Sequence, residues 1–123
     1  MNARSVIGLG LLLLAGCGPS AAKMNEAQGY VQQALELWQK GGKPDELKSQ
    51  TPPIEFHEAM WNAGEKLVKY DLGAVRYITK DNVFRCETRL TVRDRKGKER
   101  TESVVFDVLS LAPNVKIVNN PMP

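Results

Sequence analysis

The chain has 123 residues, of which 42% are hydrophobic and 25% charged, with a formal net charge of +3. That length holds one domain, and that composition belongs to a folded protein rather than a disordered one. The small positive charge does not by itself call for a polyanionic partner, and two cysteines are too few for a disulfide framework.

The N-terminus carries Arg4 and then the uncharged run "VIGLGLLLLAG" up to Cys17. A membrane-spanning helix needs roughly 20 apolar residues, so this run is too short to cross a bilayer and has the size of a signal-peptide core. Gly8, Gly10 and Gly16 would weaken it as a helix inside a domain.

Leu14-Ala15-Gly16-Cys17 resembles the lipobox of bacterial lipoproteins at all four positions. The resemblance implies removal of residues 1–16, a diacylglyceryl thioether on Cys17 and N-acylation of the new terminus. Each buried acyl CH₂ contributes about 0.8 kcal/mol of membrane affinity, so three chains would anchor the protein stably. Gly18 is not the aspartate that retains such proteins at the inner membrane of enteric bacteria. The resemblance therefore implies an outer-membrane lipid anchor with the domain facing the periplasm. Residues 17–23 read as the lipidated cysteine and a short tether, 24–119 as a single domain, and 120–123 as a tail.

In residues 24–40, Met24, Ala27, Val31, Ala34, Leu35 and Trp38 recur three or four apart, which predicts an amphipathic helix. Gly41-Gly42 supplies its stop. "KPDELKSQ" suggests one short helical turn with Pro44 at its first position, and Pro52-Pro53 prevents any continuation.

From residue 65 the period changes to two. "KLVKYDL" and "AVRYIT" form either one strand bent at Gly73 or two shorter ones. In "FRCETRLTV" the residues Phe84, Cys86, Thr88, Leu90 and Val92 share one face, opposite Arg85, Glu87, Arg89 and Arg93. "DRKGKE" is a turn, "SVVFDVLSL" the returning strand, and "VKIV" a last short strand. The expected fold is α+β, an N-terminal helix packed on an antiparallel meander of four or five strands. This element order loosely resembles the cystatin-like and nuclear-transport-factor-two-like rolls. The inhibitory signature Gln-x-Val-x-Gly is absent, so protease inhibition does not carry over.

A three-residue loop at Lys96-Gly97-Lys98 pairs Leu90 with Val104, Thr88 with Phe106 and Cys86 with Val108. A shift by one residue would set Leu90 opposite Ser103 and Cys86 opposite Asp107, placing apolar beside polar. The first register brings Glu87 opposite Asp107, with Arg85 and Arg89 flanking. Two facing carboxylates read either as an acid–base pair or small polar site, or as a salt-bridged, solvated sheet face. Cys86 falls on the apolar face and reads as a buried thiol.

His57 is the sole histidine, which excludes a His-based metal cluster. "HEAMW" begins like a zinc-protease motif, but Trp61 stands where the second ligand belongs. No metal site and no cofactor motif are expected. Candidates for a catalytic role in a roll cavity are His57, Asp71, Glu87 and Asp107.

Between Arg85 and Arg100 seven basic side chains face three acidic ones, which makes the turn cationic. Arg93, Arg95, Lys96, Lys98 and Arg100 are candidates for contact with anionic headgroups or an acidic envelope polymer. The stretch lacks the interleaved aromatics of single-stranded nucleic-acid binders, so nucleic acid is not an expected partner. The sequence favours a membrane-anchored envelope lipoprotein that presents a non-catalytic module to a protein or polymer partner. The alternative is a small-molecule-binding or hydrolase/isomerase-like enzyme using a pocket in the roll.

Overall fold

A computed structural model describes residues 19–121 of the chain. The expected signal peptide and the lipobox cysteine lie outside the described residues.

Helix α1 spans Ala21–Gln39 and starts three residues ahead of Met24. Ser20 sets that start, its Oγ accepting a hydrogen bond from the Lys23 amide at 3.3 Å. Ala27, Val31, Ala34, Leu35 and Trp38 form the buried stripe. Gly41, at φ +92°, ends the helix. The Gly42 amide reaches back to the Leu37 carbonyl and the Gly41 amide to that of Trp38, satisfying carbonyls that the helix leaves open.

A 3-10 turn (Pro44–Ser49) buries Leu47 and leads to β1 (Ile54–His57). A single helical turn, α2 (Ala59–Asn62), then precedes β2 (Lys66–Ile78), β3 (Val83–Arg93), β4 (Glu99–Ser110) and β5 (Val115–Asn119). These make one five-stranded sheet in the order β1-β5-β4-β3-β2. The α+β class agrees with the sequence reading, but the sheet is mixed rather than wholly antiparallel. Strand β1 is absent from the sequence pattern, and it pairs parallel to β5, Ile54 beside Val115 and Phe56 beside Ile117. Its alternation buries Ile54 and Phe56 while exposing Glu55 and His57, and the open edge of β5 is where that apolar pair meets the core.

Strand β2 is one continuous strand with irregularities at Leu67/Lys69 and Leu72/Val75. Gly73 sits in the second of these. A Cβ there would lie 2.5 Å from the Glu87 carbonyl oxygen, so the close approach of β2 to β3 requires glycine.

The helix lies alongside β2 and runs opposite to it. Gln28 Nε2 donates to the Gly73 carbonyl and Gln39 Nε2 to that of Val68, each at 2.9 Å. The eleven-residue step along the helix rises about 16 Å. The five-residue step along the strand covers about the same distance. The C-terminal end of α1 therefore meets the start of β2 and the β3–β4 turn, and its N-terminus points to the other pole of the sheet.

The face toward α1 is closed. Phe106, Leu35, Leu47, Leu90 and Ile117 are fully buried, and Phe56, Phe106 and Trp61 pack ring against ring. Trp38 and Trp61 stack with centroids 5.4 Å apart. Their indole N–H groups donate to the carbonyls of Glu65 and Gly42, tying the end of the helix to the segment that enters β2. Among the described residues, no helix is long and apolar enough to cross a membrane.

Candidate functional site: the outer face of the sheet

The face turned away from α1 carries the charged residues, and the β3–β4 register decides which of them meet. Arg85 lies opposite Asp107, Glu87 opposite Val105, Arg89 opposite Ser103, and Thr91 opposite Thr101. The register thus differs from the expected one by two residues. Leu90 faces Glu102 and Cys86 faces Phe106, so the apolar face is kept but every partner changes. The expected meeting of Glu87 with Asp107 does not occur.

The cause is the turn. The three-residue loop is Arg95-Lys96-Gly97, closed by the Asp94 amide donating to the Lys98 carbonyl at 2.9 Å. Gly97 takes the left-handed position at φ +88°, which a three-residue hairpin requires at its last residue. Asp94 Oδ1 accepts from the Lys96 and Lys98 amides, each at 2.9 Å. Those amides, Lys98 foremost, hold the Asp94 carboxyl below the usual aspartate range. Turn chemistry, rather than apolar matching, sets the register.

At the pole near the start of β3, Arg85 and Asp107 form a two-pronged ion pair, Nε to Oδ1 at 2.8 Å and Nη2 to Oδ2 at 3.0 Å. Both side chains are buried. Asn120 Nδ2 donates to Asp107 Oδ2 at 2.8 Å, and Asp81 Oδ2 stands 3.7 Å from Arg85. The neighbouring Asn119 Nδ2 donates at 2.6 Å to Glu58 Oε1, a buried carboxylate whose other oxygen caps α2 through the Met60 amide. Two successive asparagines therefore fasten the end of β5 to two buried carboxylates.

The four catalytic candidates do not converge. His57 sits on the edge strand β1, its Nε2 2.5 Å from Glu55 Oε2, and that contact chiefly holds the Glu55 carboxyl below its ordinary range. Asp71 is on β2, at the opposite edge of the sheet. Glu87 pairs with Arg76 at 3.0 Å, and Asp107 is committed to Arg85. Asp71 and Glu87 share a hollow, an open depression of about 380 Å³ that Arg89 and Ser103 also line.

Cys86 is fully buried, and its burial pushes the thiol pKa up; Sγ lies 3.6 Å from the Gly73 carbonyl and 3.6 Å from Thr88 Oγ1. Among the described residues no group of three or more His, Cys, Asp or Glu side chains is placed to hold a metal ion.

The basic candidates around the turn divide. Arg93 pairs with Glu99 at 2.6 Å. Arg100 projects to the helix side, where it meets Glu65 at 2.9 Å and Glu102 at 2.5 Å. The side chains of Arg95, Lys96 and Lys98 make no salt bridge among the described residues. Farther along the outer face, Arg89 on β3 and Lys69 on β2 are exposed and equally unpaired.

The sequence pattern gives Arg89 as one of the outward basic residues of the hairpin and as a flank of an acidic pair, not as an unpaired cation. On β4 it meets the uncharged Ser103, and Asp71 across from it on β2 makes no salt bridge with it, neither of which a local pattern reveals. No protein-family model, curated protein or solved structure matches the chain.

Proposed function

We propose that the chain is a lipid-anchored envelope protein whose small α+β domain is a non-catalytic binding or adaptor module for an anionic partner. The observation that carries this reading is the β3–β4 turn. Arg95, Lys96 and Lys98 sit on the loop between two long strands, braced by Asp94 and free of salt bridges among the described residues, with the Arg95 guanidinium resting beside Gly64. Cationic side chains held on a rigid turn attract polyanions without the cost of first breaking internal ion pairs.

The anchor reading rests on Leu14-Ala15-Gly16-Cys17, which resembles a lipobox. With α1 starting at Ala21, a lipid on Cys17 would join the domain at the N-terminal end of the helix. The helix is about 28 Å long. The cationic turn lies at its other end, where it would face away from the anchoring bilayer and toward the periplasm. The dispersal of His57, Asp71, Glu87 and Asp107 over four strands favours a binding module over an enzyme using a roll cavity.

The test has two parts. The mature protein isolated from its own membrane should have the mass expected for lipid on Cys17 and loss of residues 1–16; an unmodified Cys17 would contradict the anchor. The triple variant Arg95→Gln/Lys96→Gln/Lys98→Gln should bind acidic polymers more weakly than wild type, with a shallower dependence on salt. Unchanged binding by that variant would contradict the role of the turn.

A further inference from the structure

Across the middle of the outer face, β2, β3 and β4 place Asp71, Arg89 and Ser103 in one row. The next row toward the turn holds Lys69, Thr91 and Thr101, with the two threonine hydroxyls 3.0 Å apart. Two open hollows adjoin here, of about 290 and 380 Å³, and Asp71 and Arg89 line both.

The other three arginines of this face are occupied, Arg76 by Glu87, Arg85 by Asp107 and Arg93 by Glu99. Arg89 makes no side-chain hydrogen bond or ion pair among the described residues, and neither do Lys69 and Asp71. A free guanidinium fork is suited to two-pronged binding of a carboxylate. Beside it stand hydroxyls that donate and accept, and a carboxylate that only accepts. That set suits a ligand bearing both a carboxylate and many hydroxyl groups. The hollows are shallow, adjoin end to end and lead toward the cationic turn, which suits an extended chain rather than a compact molecule.

We infer that Arg89 and Lys69, with Asp71, Thr91, Thr101 and Ser103, form a binding site for a segment of acidic glycan. Arg89 takes a sugar carboxylate, Lys69 adds charge beside it, and Asp71 accepts from sugar hydroxyls. The turn draws the polymer in, while the Arg89 row selects its chemistry. This assignment deepens the binding-module reading but requires no lipid on Cys17.

Calorimetric titration of the mature chain with an oligogalacturonate tests it, using a neutral maltodextrin of the same length and inorganic phosphate as comparisons. Wild type should bind the acidic oligosaccharide in preference to both. Arg89→Gln should lose roughly tenfold to a hundredfold in affinity, the range of a charge-assisted hydrogen-bonded pair. Arg89→Lys should recover part of the loss. Lys116→Gln, which removes the same charge from the distant strand β5 and from outside both hollows, should stay within about twofold, as expected for loss of an exposed pair.

Equal losses in Lys116→Gln and Arg89→Gln would overturn the site, since net charge alone would then explain binding. Phosphate competing as well as the oligosaccharide would overturn the glycan assignment, and so would failure of wild type to bind the oligosaccharide. Arg89-dependent binding to anionic lipid vesicles in place of the oligosaccharide would also overturn it. The turn variant separates the two claims. If it binds normally while Arg89→Gln does not, the role of the turn fails and this site stands.

Discussion

Arg85 and Arg89 stand four residues apart on one strand and one face, yet their surroundings differ completely. Arg85 is buried in a two-pronged pair with Asp107, which Asn120 also holds. Arg89 is exposed, faces Ser103, and is unpaired among the described residues. What stands across the ladder on β4 makes the difference. One half of the outer face is thereby closed as structure, and the other is left open for a partner.

The largest effect should come from the side of β4 that carries the fold. Phe106, next to Asp107 but pointing into the core, is fully buried against Phe56. Phe106→Ala should cost about 3–5 kcal/mol in urea unfolding. A cost under about 1 kcal/mol would mean the core is looser than described.

Asp107→Ala comes next, because it leaves the Arg85 guanidinium buried without its principal partner. Its urea midpoint should fall below that of any single change around Arg89. A midpoint equal to wild type would break the contrast between the two halves.

Gly97→Ala forces an L side chain into a left-handed position, at a cost of about 1–2 kcal/mol. Since that residue fixes the hairpin register, the hydroxyl contact between Thr91 and Thr101 should loosen with it, seen as faster amide exchange near both. Unchanged exchange would show that strand packing, not the turn, holds the register.

A smaller effect is expected from pH. The Asp94 carboxyl is lowered in the fold, so its stabilising contribution is complete above the unfolded value of about 3.9 and is lost as pH falls through the lowered folded value. Amide signals of Lys96 and Lys98 should be constant from neutral pH to about pH 4 and move below it. Asp94→Asn should abolish that movement, and its persistence would assign the transition to another group.

Much of this fold is legible in the sequence. The period of the apolar residues gives α1, and its change to two gives the strands and the inward face of β3. Strand β1 escapes because Ile54–His57 offers only four residues between two prolines and Glu58, too few for an alternation to stand out. "HEAMW" straddles the end of that strand and the start of α2, so its motif-like spacing has no structural unity.

The register escapes for a different reason. Apolar pairing fits equally well after a slip of two residues, which keeps every side chain on its face. The left-handed requirement at Gly97 separates the two arrangements, and so do the outer-face charges, which pair Arg85 with Asp107 and Arg93 with Glu99 instead of setting Glu87 against Asp107. The Arg85–Asp107 pair, the isolation of Arg89 and the fastening by Asn119 and Asn120 all follow from that choice or from the position of β5. None of them is a property of a local stretch of sequence.

The contrast between the two arginines is tested most directly by measuring Arg85→Gln and Arg89→Gln side by side, for urea stability and for oligogalacturonate binding. Arg85→Gln should lower the unfolding midpoint while the folded fraction still binds. Arg89→Gln should leave stability within about 0.5 kcal/mol of wild type and lose the binding. If both variants lose stability alike, or both bind alike, the division of the outer face into a structural half and a binding half is contradicted.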